Sequence, residues 1–400
     1  MVKAMKKAFT LIELTVSIAL LVMMLSFALI IFRVSIDAYR VAGANTEIMQ
    51  KMRTITEQLN RDFRGLRKDA PLLIWFQQDN TDVNEPDRFD QIMFFADGDF
   101  QSTQLYFINP AVPLRGNVAR IFYGQARVSQ QGFGYLLPWQ QREENRLPEK
   151  ILNERSRILA RRQHILSADP ALDIWPNPLD VRGSFDDDSS REDAYRKNEL
   201  YEHDSLSLTK WKTLTDADNF NEPALGMNGT IADRCFEWRP SIDFNNHETF
   251  HKLMCEGVGS FAVQFIYTDT NDPLKTYDDQ FRWFPSNDPN QDGTKRGSHF
   301  GLITAMGNPA AEFGVYFNIP HSSLLPPPLA QPLQWYPIEN AVYKYVDSDP
   351  LKWKTFNPNF YPKALKFTFR LYDSKGIIKE YRNGVERKGR TFTHIVYLKD

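Results

Sequence analysis

Apolar positions fall into three successive patterns along the chain. Across residues 9–32 (FTLIELTVSIALLVMMLSFALIIF) they are nearly continuous, and these 24 residues hold one ionisable side chain, Glu13. At about 1.5 Å per residue, a helix of that length reaches roughly 36 Å and crosses a bilayer. A cleaved secretory signal has an apolar core of about 7 to 15 residues followed by a small-residue cleavage site, and neither feature fits this run. Beyond Arg33 the pattern becomes amphipathic. Ile48, Met52, Ile55, Leu59, Phe63 and Leu66 recur at intervals of 4, 3, 4, 4 and 3. Lys51, Arg53, Glu57, Arg61, Asp62 and Arg64 take the other faces, as a half-buried helix requires. The two patterns predict one helix over residues 9–68, a rod of about 90 Å, ended by Pro71.

The third pattern is short apolar and aromatic runs bounded by Gly, Pro, Asn and Asp. LLIWF at 72–76, QIMFF at 91–95, VARIFYG at 118–124 and GYLLPW at 134–139 read as strands. So do VGSFAVQFIY at 258–267, FRWFP at 281–285, FGVYF at 313–317, ALKFTFRLYD at 364–373 and FTHIVYL at 392–398. Strict alternation sends Leu365, Phe367 and Phe369 to one face and Lys366, Thr368 and Arg370 to the other. The polar interval 140–211, rich in Arg and Glu and then acidic from Asp186 to Asp193, reads as one or two surface helices and a solvated loop. SLLPPPLAQPLQWYP is a proline-rich connector. The fold class is α+β: a long N-terminal transmembrane and amphipathic helix packed on a mainly antiparallel β head.

Composition narrows the function. The chain has 400 residues with 48 Lys plus Arg against 50 Asp plus Glu, a formal net charge of -2. No nucleic-acid partner is expected at that balance. With 42% hydrophobic and 13% aromatic residues the chain has ample material for a large core, which excludes global disorder. Lys3, Lys6 and Lys7 precede the apolar run and favour a cytoplasmic N-terminus, which sends the rest of the chain across the membrane.

Glu13 is costly in hydrocarbon, by about 2.5 to 3.5 kcal/mol or more near a helix centre, and so needs a partner. It lies four residues after Phe9. A cut just before Phe9 would create an α-amine able to neutralise Glu13 of the same or a neighbouring helix. Together KKAFTLIEL and the apolar stretch after it resemble the start of a type IV prepilin. The resemblance implies that a prepilin peptidase cuts between Ala8 and Phe9 and methylates the new amine of Phe9, and that Glu13 guides entry into a filament. Ala8 stands where that family usually has Gly, and no proline interrupts the apolar run as it does in many major pilins, which leans toward a minor subunit.

The order of the later pieces is similar to the J-type minor pseudopilins of type II secretion. Arg61, Asp62, Phe63 and Arg64 close the helix before a first strand. DQIMFF, ARIFYG, EGVGSFAVQFIY with the aromatic turn FRWFP, and YPKALKFTFRLYD then follow in that family's order. On this resemblance residues 1–8 are a leader, 9–32 the transmembrane half of the helix, 33–70 its amphipathic half, and 71–400 a periplasmic head with insertions near 140–250 and 286–360. It implies a single-pass bacterial inner-membrane protein without catalysis or cofactor, near the tip of a short filament, priming assembly and contacting secreted cargo. Its partners would be I-type and K-type minor pseudopilins, the major pseudopilin and the prepilin peptidase. K-type proteins usually lack the glutamate kept here as Glu13, whereas the W-type minor pilins of type IV pili share much of the pattern and stay open as the alternative.

Three constellations suggest chemistry of other kinds. His247, Glu248 and His251 (HETFH) match the zincin pattern, two histidines one α-helical turn apart with a glutamate as base, and would make a membrane-tethered metalloprotease. On a helix His247, His251 and Cys255 would share a face, and Cys235 could complete a structural zinc site. Alternatively Cys235 and Cys255 form a disulfide, worth about 3 kcal/mol in the chain-entropy model, or remain thiols. Asp288, Asn290, Asp292 and Gly293 imitate half of a calcium loop, but its twelfth position is His299 instead of a bidentate glutamate.

Overall fold

The computed structural model describes residues 10–79, 87–106, 112–130, 134–136, 156–166, 202–204, 207–214, 239–268, 281–284, 310–317, 342–344, 353–354, 362–382 and 385–398. Helix α1 spans Leu11–Arg64 and α2 spans Leu208–Leu214. The first strands are β1 Leu72–Asp79, β2 Asp87–Arg88, β3 Gln91–Tyr106, β4 Val112–Gln125, β5 Arg127–Gln130 and β6 Gly134–Leu136. Next come β7 Ile158–Leu166, β8 His203–Asp204, β9 Ser241–Ile242, β10 Leu253–Glu256, β11 Val258–Thr268 and β12 Phe281–Phe284. The chain closes with β13 Ala310–Phe317, β14 Val342–Lys344, β15 Trp353–Lys354, β16 Ala364–Leu371, β17 Lys379–Arg382, β18 Val385–Lys388 and β19 Arg390–Tyr397.

One sheet runs in the order β10-β7-β4-β3-β1-β13-β14-β15, with β2 paired to β1 and β8 to β7. A second runs β12-β11-β16-β19. Pairing is antiparallel except between β5 and β9 and between β7 and β8. The two sheets meet where Phe89 bridges Phe261, and Asp90 N–H donates to the Phe261 carbonyl at 2.9 Å. Behind that seam, Asp87 accepts from Arg157 at 3.0 Å and from Arg370 at 3.1 Å, so one carboxylate ties three separate segments.

Helix α1 supplies the centre of the core. Ile48, Ile55, Leu59 and Phe63 are buried, with Met52 and Leu66 packed against them, as the spacing of these six positions predicts. Each such burial contributes about 1.5 to 3 kcal/mol. Phe63 stacks on Phe94 of β3 with centroids 4.2 Å apart and tilts against Phe367 of β16 at 5.5 Å, so one helical side chain touches both sheets. On β16 Leu365, Phe367 and Phe369 are buried while Lys366, Thr368 and Arg370 are partly open, as the alternation predicts.

Two elements differ from the sequence-based expectation. Helix α1 stops at Arg64, short of Lys68, because the next residues join β3: Asp97 N–H donates to the Gly65 carbonyl at 2.7 Å and Arg67 N–H to the Phe95 carbonyl at 2.8 Å. Glycine is needed at 65, where a Cβ would lie 1.9 Å from the Asp97 carbonyl oxygen. Second, Ile158–Leu166 lies in the interval expected to form surface helices but is strand β7, paired with β4 on one side and β10 on the other. The strand expected at FGVYF is present as part of β13, which pairs with all eight residues of β1. From the 140–250 stretch α2 also docks on the first sheet. Its buried Trp211 lies 5.8 Å from Phe95 and beneath Arg120 at 4.7 Å, and Lys212 reaches Asp69 at 2.6 Å. Bonds from Arg67, and then from Lys212, hold the Asp69 carboxyl well below its usual range.

Candidate functional site

The helix begins with a capping box. Thr10 Oγ1 accepts the Glu13 N–H at 3.3 Å, and Glu13 Oε2 accepts the Thr10 N–H at 2.9 Å and its hydroxyl at 3.0 Å. Two of the N–H groups that a helix start leaves open are thereby satisfied, and the carboxylate sits where the helix dipole favours an anion. Oε1 of Glu13 makes no hydrogen bond among the described residues, which leaves half the carboxylate available to a second donor. Thr10 was not singled out from the sequence, although Thr-x-x-Glu before an apolar run is the signature of this cap. Ala8 and Phe9 lie outside the described residues.

From Leu11 to Val41 the large apolar side chains of α1 are exposed, Leu11 by 79% and Phe32 by 67%. No described residue of the chain covers the most apolar window of this helix, whose mean hydropathy is 2.7. Its hydroxyls are turned inward: Thr15, Ser17 and Ser26 donate to the carbonyls of Ile12, Glu13 and Val22 at 2.7 to 2.9 Å. That is the local solution hydrocarbon demands of a polar side chain. Among the described residues, one helix is thus long and apolar enough to cross a membrane.

Above this segment the head grips the stem at three heights. Near its lower end Lys51 Nζ donates to the Tyr372 carbonyl at 2.8 Å, and Glu47 accepts from the N–H and hydroxyl of Ser374, each at 2.9 Å. Higher up, Asn60 Oδ1 and His394 Nε2 of β19 are 2.9 Å apart, and burial shifts that imidazole below its ordinary value. At the top Asp62, buried at 3% exposure, receives Arg161 Nε at 2.6 Å and Nη2 at 2.9 Å. Gln58 Nε2 donates to it at 3.0 Å, and the Tyr123 hydroxyl also donates to it. Burial, followed by the Asp62 charge, pushes the Tyr123 phenol well above its ordinary value. Burial alone would lower the Arg161 guanidinium, yet its bonds to Asp62 hold it raised. The bidentate fork fixes the helix in orientation as well as position.

The zincin geometry is corrected. Residues His247–Lys252 form a 3-10 turn that runs directly into β10. At about 3.0 residues per turn, positions four apart point roughly 120° from each other, in place of the roughly 40° of an α-helix. His247 and His251 therefore do not share a face, and Cys255, on a strand, shares none with them. His247 is exposed with its ring edge-on to Phe250 at 6.0 Å. Cys255 is a buried thiol, 3.5 Å from the Glu256 carbonyl, and burial pushes it up to about 11. Cys235, its disulfide or zinc partner in the sequence reading, lies outside the described residues, as do Asp288, Asn290, Asp292, Gly293 and His299.

No family model, curated protein or solved structure matches the chain.

Proposed function

We propose that the chain is a minor pseudopilin-type subunit, cut between Ala8 and Phe9 by a prepilin peptidase, methylated at Phe9 and incorporated by its stem into a short type II secretion-like filament. The observation that carries this reading is the continuity of one helix: a prepilin-like start at Glu13, a membrane-length apolar surface that no described residue covers, and a buried stripe locked into the head by Asp62. An ordinary membrane anchor needs neither an acid four residues after the cut nor rigid coupling to its ectodomain. In a filament both are useful, because the stem sets the register and the head must follow it.

Glu13 and the amine of Phe9 provide that register in lipid, where an unpaired charge is penalised. The exposed apolar flank of α1 packs against other stems, the major pseudopilin and the I-type and K-type minor subunits, with the head in the periplasm near the tip, placed to prime assembly and meet cargo. Crosslinking of the full-length chain in its own membrane, with partners identified by mass, tests this. Products with I-type and K-type subunits are expected; products with pilus subunits would make it a W-type minor pilin, and an absence of prepilin-type partners would end the reading.

A further inference from the structure

Strand β19 is the outer strand of the second sheet and pairs with β16 over eight residue pairs without a bulge. In an antiparallel strand the N–H and C=O of a residue point to the same side, and the side alternates along the chain. Just past the strand, Leu398 N–H donates to the Lys363 carbonyl at 2.8 Å, so the even-numbered positions face β16. The odd-numbered positions face outward. The start of this side is covered by the chain itself, where Gly389 N–H donates to the Ile378 carbonyl and Thr391 N–H to Glu380 Oε2, each at 2.9 Å. Beyond it the N–H and C=O groups of Thr393, Ile395 and Tyr397 have no backbone partner among the described residues. The side chains of Ile395 and Tyr397 are also exposed, by 37% and 76%.

Natural sheets protect such an edge with a proline, a bulge, an inward charge or a covering loop. The segment TFTHIVY has no proline, no bulge and a run of β-branched and aromatic residues suited to extended pairing. A helix cannot occupy the edge, because its own backbone groups are already paired; an extended segment can, offering a donor and an acceptor at alternate residues. The place of the edge indicates whose segment. His394, on the same strand, touches Asn60 of α1, so the edge runs beside the stem, where packed stems would bring the head of the next subunit.

We infer that the outer edge of β19 from Thr393 to Tyr397 accepts, by strand addition, an extended segment from the head of a neighbouring pilin-like subunit, apolar or β-branched opposite Ile395 and Tyr397. This rests on the subunit reading above. The test uses the full-length chain in its own membrane with Thr393→p-benzoylphenylalanine as photocrosslinker, and sequences the captured peptide. The expected product is a strand segment of a second prepilin-type subunit. Its yield should fall about tenfold or more in Ile395→Pro, which deletes an outward N–H and leaves the β16 ladder whole, and in Ile395→Lys, which keeps the backbone and adds an edge charge. Capture of β19 from a second copy, capture of lipid alone, or undiminished capture in both variants would overturn it. Filament incorporation of the unmodified chain is scored in parallel. Chain in filaments without capture at position 393 removes the edge proposal only; chain absent from filaments removes the subunit reading, and the edge proposal with it.

Discussion

Glu13→Leu is expected to insert into the membrane as well as the unmodified chain and to be lost from filaments. Removing an acid from an apolar run lowers the cost of insertion, by about 2.5 to 3.5 kcal/mol if the residue sits deep. Assembly loses the counter-charge for the amine of Phe9. Glu13 also closes a capping box with Thr10, so two companion variants separate the roles. Glu13→Gln keeps an acceptor for the Thr10 N–H and removes the charge, and it should fail to assemble as Glu13→Leu does. Thr10→Ala keeps the charge and gives up the cap, costing about 0.5 to 2 kcal/mol at the helix start, and should still assemble. Filament fractions quantified against total membrane protein give the answer. Assembly of Glu13→Gln at the unmodified level would show that the carboxylate acts as a cap alone.

The second large effect is at the top of the stem. Asp62→Ala should destabilise the full-length chain by about 3 to 5 kcal/mol, the cost of leaving a buried partner charge uncompensated. Arg161 would keep its position under the helix without a carboxylate, and the buried Tyr123 hydroxyl would lose its acceptor. The double variant Asp62→Leu with Arg161→Met should recover much of that loss, since a well-packed apolar pair is often no worse than a buried ion pair. Urea unfolding in detergent, followed by tryptophan fluorescence, measures both. A loss below about 1 kcal/mol for Asp62→Ala would place the fork among pairs that contribute little. Tyr123→Phe isolates the phenol's share, about 1 to 3 kcal/mol if Asp62 is left with one fewer donor.

How much of this was legible in the sequence depended on whether a residue's partner was near it in the chain. The stripe from Ile48 to Leu66 and the alternation of β16 were readable because the helical and strand periods are local. Strand β7 was not. Its RILARRQHIL segment looks charged and helical, yet Arg161 is consumed by Asp62, 99 residues away, and Arg162 lies over Phe122 at 5.4 Å. Charge that is neutralised through tertiary contact is indistinguishable in sequence from charge left in water. The early stop of α1 has the same origin: Pro71 was the visible terminator, whereas the effective one is a close approach of Asp97 to Gly65. HETFH shows the opposite failure, a specific local pattern whose chemistry needs α-helical geometry that the 3-10 turn does not supply. The capping box, by contrast, is fully legible in Thr10 and Glu13, because Thr-x-x-Glu before an apolar run is a local pattern.

Entry of the stem into a filament, as proposed, depends on where the mature polypeptide starts. Mass measurement of the N-terminal peptide, taken from the protein in its native membrane, tests this most directly. A peptide beginning at Phe9 and carrying one added methyl group is predicted. A peptide beginning at Met1, or at any residue other than Phe9, would rule out the pseudopilin-type role and leave a tethered ectodomain with no filament to join.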